Sequence, residues 1–272
     1  MQAVILAGGL GTRLGALTRT IPKPMAPVAG APYLEHQLHL LRQQSFRDVL
    51  LLTGYLGEQI ERYFGSGKGL GLRIRYSRER RPLGTGGALR EARTLLDESF
   101  LLMYGDSLLP IQYAVAGRRL KDSAALGVIV AYRDSARETT VPPNVAIDRS
   151  GLVTRYDKTA AGDPALQYIE AGVSCFRREV LDLVPDGGPV SFEQSVFPRL
   201  IDRRQLAGLP TRQRFYDIGT PERLRALEEY LFAGYTRSMP ALPQPAPAAA
   251  SSRPAGSDWH AAPGRRGGDD YL

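Results

Sequence analysis

A three-layer α/β fold, with helices on both faces of a mixed, mostly parallel sheet, is what this sequence predicts on three observations. Short unbroken apolar runs alternate with amphipathic stretches; the first of these runs ends in a cluster of glycines; and a fourth ends at Gly105-Asp106. Strands that alternate with helices assemble into a parallel sheet with right-handed crossovers. Strands covered on both faces have no polar side and therefore read as continuous apolar runs.

The elements follow in order. Residues 3–6 (Ala-Val-Ile-Leu) form a buried strand that stops at glycine. Residues 32–44 place Leu34, Leu38 and Leu41 on one helical stripe, and 48–53 form a second buried strand. A helix over 56–64, an alternating strand over 72–77, a helix over 86–96 and an apolar strand over 100–104 complete the first half. From about Ala124 the chain is richer in strands, expected at 126–132, 144–147, 152–156 and 169–176, with helices at 191–201 and 220–232. No internal repeat is visible. The pattern predicts one Rossmann-like domain over residues 1–235 and a disordered tail over 236–272. Beyond Pro240 the chain is Pro, Ala, Gly and Ser with few branched aliphatics, too little apolar surface to offset the entropy of ordering. The single Trp, Trp259, falls in that tail and is read as incidental.

Composition excludes several classes. With 43% hydrophobic and 23% charged residues over 272 positions, the chain is globular and not disordered as a whole. The one cysteine, Cys175, makes no internal disulfide and no thiolate zinc site, which points to a reducing, cytoplasmic setting. No apolar run approaches the roughly 18 to 20 residues of a membrane span, so no membrane partner is expected. The net charge of +7 invites a nucleic-acid reading. However, the residues from 240 on are neutral, and acidic residues are interleaved with basic ones in the body, as on a solvated mixed-charge surface; no nucleic-acid partner is expected. Only four of the 35 basic residues are lysines, Lys23, Lys68, Lys121 and Lys158, so a lysine at a particular place is informative.

The strongest signal is Gly8-Gly9-Leu10-Gly11-Thr12-Arg13-Leu14, followed by Pro22-Lys23-Pro24. Without a Cβ, the glycines let backbone N–H groups approach an anion, and Arg13 and Lys23 add cations on the same side. The dinucleotide fingerprint fails because Leu14 stands at its third glycine, and the phosphate-loop pattern fails because Gly69 follows Gly67-Lys68. Ligands of such sheets bind beyond the carboxyl ends of the strands, where this loop and Asp106 both fall. A plain glycine-rich turn is the competing reading of the loop. For Asp106 and Asp217 it is an Asx turn or helix cap.

These motifs resemble the sugar-1-phosphate nucleotidyltransferases, whose Gly-Gly-x-Gly-Thr-Arg-Leu and Pro-Lys-Pro signature is matched in full. The resemblance runs from Met1 to about Phe232 and implies the nucleotide-diphospho-sugar transferase type of fold. It also implies site residues. Leu6, Ala7, Gly8, Gly9, Gly11, Thr12, Arg13, Lys23 and Gly105 would bind the nucleotide, with the glycines at 8, 9 and 11 as backbone donors and Arg13 and Lys23 on the phosphates, and Pro82, Leu83, Gly84 and Thr85 would lie against base and ribose. Asp106 and Asp217 would hold Mg²⁺, a cation that takes hard oxygen ligands and phosphate oxygens. Arg13, Lys23 and Asp106 would carry the catalytic charge stabilisation. On the sugar side, the resemblance assigns Lys158 to the phosphate and Asp157, Glu170 and Gly172 to the sugar. A buried structural role competes for Glu170.

Two departures stand out: Asp157 where relatives write Glu, and Tyr104 where many have Asn. Glu79, just before the Pro82 loop, sits where relatives place a base-contacting residue, and a carboxylate accepts from the N–H donors of guanine; an ordinary surface Glu is the competing reading. The wording is most similar to guanylyltransferases acting on mannose or heptose 1-phosphates. Thymidylyl-, uridylyl- and cytidylyltransferases share the scaffold, and a catalytically silent nucleotide-sugar-sensing relative is the alternative outside catalysis. The resemblance also implies a homo-oligomer as an option. His36 and His39, at helical spacing beside Glu35, are expected on an ordinary helix surface, and Cys175 in the core.

Overall fold

The computed structural model describes residues 1–9, 11 and 19–238. The chain opens with β1 (Gln2–Ala7), a 3-10 turn at Lys23–Met25, and the short pair β2 (Pro27–Val28) and β3 (Ala31–Pro32). Then come α1 (Tyr33–Gln43), β4 (Asp48–Thr53), α2 (Gly57–Phe64), β5 (Arg73–Arg78), α3 (Gly84–Glu91), β6 (Ser99–Tyr104), β7 (Ser107–Leu108) and α4 (Ala114–Lys121). The second half holds β8 (Gly127–Tyr132), β9 (Val145–Ile147), β10 (Val153–Tyr156), β11 (Ile169–Arg177), α5 (Phe192–Asp202), β12 (Leu206–Thr211), β13 (Tyr216–Asp217) and α6 (Pro221–Ser238).

Seven strands form the main sheet in the order β12-β8-β11-β6-β1-β4-β5. Only β11 runs against its neighbours; β1 is parallel to both β4 and β6, β4 to β5, and β12 to β8. The mixed, mostly parallel three-layer arrangement is therefore the predicted one. Alternate side chains of β1 face opposite layers, as the two-residue period of a strand dictates. Ala3 and Ile5 pack with Leu34, Leu38 and Leu41 of α1 and Ala116 and Leu120 of α4. On the other face Val4 packs with Leu89 of α3 and Phe192, Val196 and Phe197 of α5. A third cluster joins Ala26, Val28 and Tyr33 to Leu108, Ile218 and Leu227, fastening α6 over the strand ends.

The differences from the sequence expectation have local causes. The helix expected over 86–96 begins at Gly84 and stops at Glu91, and Arg93–Leu95 continues it as a single 3-10 turn. α4 was not expected because it buries only Ala116 and Leu120, too sparse a stripe to read. β12 contains Gly208 and Pro210, which obscure it, yet it lies at the sheet's edge, where a missing N–H is tolerated. His36 corrects the expected helix surface: it is 8% exposed, and its Nε2 lies 2.8 Å from the Val28 carbonyl. Cys175 is in the core as expected, and burial pushes its thiol up to about 12. Of the predicted tail, residues from 239 on lie outside the described residues. No helix among the described residues is long and apolar enough to cross a membrane.

Candidate active site

The register of the sheet builds the site's floor. Leu6 pairs with Leu52 on one side and Tyr104 on the other, so the carboxyl ends of β1, β4 and β6 lie side by side. Each is followed by a glycine, and two of the three sit where a Cβ has no room. At Gly54 it would stand 2.6 Å from Glu79 Oε1, and at Gly105 2.5 Å from the Leu6 carbonyl. At Gly8 it would approach the same Glu79 oxygen to 3.1 Å. Around this edge opens a cavity of about 600 Å³. Its lining includes the predicted Leu6, Ala7, Gly8, Gly9, Lys23, Glu79, Pro82, Gly84, Thr85, Gly105, Asp106 and Lys158. Leu83 does not line it; its N–H donates to Glu79 Oε2 at 3.0 Å and shapes the loop. Gly11 adopts a left-handed φ of 65°, while Thr12 and Arg13 lie outside the described residues. Burial raises the Glu79 carboxyl above its ordinary range, against the lowering effect of the Leu83 amide.

The two predicted metal carboxylates meet across the short antiparallel pair of β7 and β13, where Asp217 stands opposite Ser107. The Ile218 N–H donates to the Asp106 carbonyl at 3.1 Å and locks the two strand ends together. Each carboxylate already holds a cation. Lys23 Nζ lies 2.5 Å from Asp106 Oδ2, and Arg223 Nη1 lies 3.3 Å from Asp217 Oδ1. The Gly219 N–H also donates to Asp217 Oδ1 at 2.7 Å, so the turn there both caps and orients it. Among the described residues no three His, Cys, Asp or Glu side chains gather at metal-binding spacing. The donor set is two hard carboxylates, which suits a cation completed by phosphate oxygens and water.

A second cavity of about 290 Å³ abuts the first; Tyr104, Asp106 and Lys158 line both. Glu170, Asn144, Asp217 and Arg223 line the second alone. Lys158 Nζ rests over two rings, 5.8 Å from the Tyr104 centroid and 5.7 Å from that of Tyr156. Glu170 is buried, and its Oε1 accepts from the Gly172 N–H at 2.9 Å. Burial is the main cause that pushes its carboxyl up to about 7; Lys158 opposes the rise and Glu193 adds to it. Gly172, at φ 77°, sits in the bulge where β11 changes register, and a Cβ there would stand 2.6 Å from Ser107 Cβ. Only glycine lets the strand pass that close to Ser107, the residue after Asp106.

Two of the predicted sugar contacts line neither cavity: Gly172, whose backbone bears on Ser107, and Asp157. Its Oδ1 accepts from the Thr159 hydroxyl at 2.7 Å and from the Thr159 and Ala160 amides, and Arg155 binds its other oxygen at 3.1 Å. These bonds, the Thr159 hydroxyl foremost, hold its carboxyl down to about 2. The residue organises the turn that presents Lys158.

The model of the family described as nucleotidyl transferase matches residues 2–232. The chain belongs to that family. Among its members, the mannose-1-phosphate guanylyltransferase of Mycobacterium tuberculosis is 35% identical over 227 residues, which are 82% of this chain and 62% of that protein. The D-glycero-alpha-D-manno-heptose 1-phosphate guanylyltransferase of Aneurinibacillus thermoaerophilus is 31% identical over 85% of this chain and 98% of its own. The UTP--glucose-1-phosphate uridylyltransferase of Synechocystis is 32% identical, and the chain spans only 56% of its length. The crystal structure of HddC from Yersinia pseudotuberculosis complexed with GMP-PN matches with a TM-score of 0.70 at 25% identity, covering 85% of this chain and 99% of that one.

A nucleotidyl transferase positions anions and neutralises charge; it has no need of a nucleophilic side chain. The cavities offer that equipment: backbone N–H groups at three glycine-ended strands, two carboxylates, and lysines at either end. Sequence reasoning missed several residues here. Arg80 and Arg81 line the mouth of the larger cavity beside Glu79 and were visible as neighbours of the Pro82 loop. Tyr55 also lines it, and Asn144 and Arg223 line the smaller one, with nothing in local spacing to announce them; Glu193, on the larger cavity too, belongs to the Ser191-Phe192-Glu193 stretch that is similar to the family's helix after the sugar-binding strands, a likeness that gives it no site role.

Proposed function

We propose that this protein transfers a nucleotidyl group from a nucleoside triphosphate to a sugar 1-phosphate, giving a nucleotide sugar and pyrophosphate. The observation that carries the reading is the shared wall of the two cavities: Asp106, Tyr104 and Lys158 belong to both. Two anionic substrates seated on either side of that wall bring a sugar-phosphate oxygen against an α-phosphorus. The oxygen attacks in line, the bond to the β-phosphate bridging oxygen breaks, and pyrophosphate leaves with that electron pair. Gly8 and Gly9 donate to phosphate from the backbone, Lys23 and Arg13 offset the triphosphate charge, and Lys158 holds the phosphate of the sugar. Asp106 and Asp217 are the residues that would hold Mg²⁺, whose role is to neutralise the charge developing on the phosphate oxygens. Lys23 and Arg223 sit against those carboxylates as a bound cation would.

GMP is the proposed group and a mannose- or heptose-type 1-phosphate the proposed acceptor. Glu79 lines the larger cavity and offers acceptors to the N1–H and 2-amino donors of guanine, while the relatives include named mannose and heptose guanylyltransferases. Pyrophosphate release with Mg²⁺, measured for each nucleoside triphosphate against glucose, mannose, N-acetylglucosamine and heptose 1-phosphates, tests both levels. GTP with a mannose or heptose 1-phosphate is the pair expected to turn over. Turnover confined to UTP, dTTP or CTP would remove the role given to Glu79. No release from any pair would remove the activity itself.

A further inference from the structure

Glu193 is buried beside the larger cavity, 5% exposed, and the proposed reaction gives it nothing to do. The three hydrogen bonds it accepts come from hydroxyls. Oε2 receives Ser191 Oγ at 2.8 Å and Thr85 Oγ1 at 3.1 Å, and Oε1 receives the Tyr104 hydroxyl at 2.6 Å. A helix-capping role accounts for Ser191, which is the N-cap of α5. It does not account for Thr85 and Tyr104, which lie 108 and 89 residues away along the chain. A carboxylate is costly to bury without donors, so these long-range bonds fix it firmly.

On one side the bonds reach the nucleotide loop. Thr85 Oγ1, which donates to Glu193, accepts from the Phe192 N–H at 2.8 Å; the Val190 N–H donates to the Leu83 carbonyl at 2.7 Å, and the Gly86 N–H to the Val190 carbonyl at 2.8 Å. The loop over 83–86 and the start of α5 are thus zipped into one unit. On the other side they reach the sugar-phosphate lysine, because the ring that carries the Tyr104 hydroxyl is one of the two on which Lys158 rests.

We propose that Glu193 is a positioning residue that couples the two substrate sites, one oxygen fixing the nucleotide loop through Thr85 and the other orienting the Tyr104 ring beneath Lys158. The coupling rests on the assignment of the two cavities to nucleotide and sugar phosphate. Nucleotide bound against the loop holds Thr85, Glu193 and Tyr104 in place, so it raises affinity for the sugar 1-phosphate, and by linkage the reverse holds by the same factor.

Two variants cut different ties. Tyr104→Phe keeps the ring and removes the hydroxyl that bonds Glu193 and also bears on Glu170; Glu193→Gln keeps the side chain's shape, loses an acceptor and leaves Tyr104 and Glu170 in place. Competitive acetylation of the ligand-free protein reads the lysine directly, with Lys68 and Lys121 as internal references. In both variants the labelling of Lys158 relative to those two is expected to change by about threefold or more, on the scale of one hydrogen bond. In kinetics with the substrate pair that the wild type turns over, Tyr104→Phe is expected to raise the KM for sugar 1-phosphate about three- to tenfold. Linkage requires its KM for the nucleotide, measured with sugar 1-phosphate saturating, to rise with it, and Glu193→Gln likewise raises both KM values. A wild type that turns over no pair removes the functional assignment, and the acetylation still decides the positioning of Lys158. Unchanged Lys158 labelling in both variants overturns the proposal. So does an equal change at Lys68 and Lys121, which marks the residue as structural only.

Discussion

Asp106 carries two burdens: it pairs with Lys23 at 2.5 Å, and it is one of two carboxylates fit for a metal. Asp106→Asn leaves an acceptor for the lysine while halving the anionic donors, so the fold is expected to persist and turnover to fall by about a hundredfold or more. Melting curves beside pyrophosphate release check this, and full turnover at saturating Mg²⁺ would refute the assignment. Glu170 makes a prediction in pH. Lys158, Glu193, Tyr104 and Tyr156 act on it, and Asp106, Asp217 and Arg223 line the same cavity. Its carboxyl rises from an ordinary 4.5 to about 7 on folding, so between those values the folded protein binds more protons than the unfolded chain. The stability it contributes is complete below about pH 4.5 and is lost as the pH climbs to about 7. Glu170→Gln lacks that slope, and urea unfolding across the window is expected to show wild type losing up to roughly 2–3 kcal/mol relative to the variant. Parallel curves for the two proteins would contradict it.

At the scale of elements, the loop entering α3 is held open by glycine. Gly84 has φ 70°, and a Cβ there would collide with the Val190 carbonyl. Gly84→Ala is expected to cost about 1–3 kcal/mol and to raise the KM for nucleotide more than that for sugar phosphate. Unchanged unfolding and unchanged KM values would show that the loop is free of α5. Such glycines made the site legible: those at 8, 9, 11, 84 and 105 mark strand and loop ends in the sequence, and the structure places Gly8, Gly9, Gly84 and Gly105 on the larger cavity. What escaped the sequence depends on distance along the chain. Glu193 meets Thr85 and Tyr104 only after the sheet brings α5 against α3, and β7 pairs with β13 through two residues on each. Adjacent residues also part ways. Asp157 and Lys158 are neighbours, yet the short carboxylate of one accepts from the amides of its own turn while the long side chain of the other reaches both cavities.

For the whole molecule, the question is where the functional body ends. α6 is not an appendage: Leu227 is fully buried, Glu228 accepts from the Ala29 N–H at 3.1 Å, and Tyr230 stacks on Tyr216 at 4.4 Å. Its cluster with Val28, Tyr33, Leu108 and Ile218 braces the Lys23 turn and the paired strand ends that carry Asp106 and Asp217. Leu227→Ala is therefore expected to lose about 2–5 kcal/mol and, with it, the alignment of lysine and carboxylates. The residues after Ser238 differ in kind. They are rich in Pro, Ala, Gly and Ser, carry three Arg against three Asp, and lack the spaced branched aliphatics that a further packed layer needs. A chain cut after Ser238 is expected to match the full chain in melting temperature and to release pyrophosphate within about twofold of its rate, one hydrogen bond's worth at most. The two proteins compared side by side in calorimetry and turnover settle it. A large loss of either property on truncation would mean that the last 34 residues support the domain, and that the body braced by α6 is not sufficient by itself.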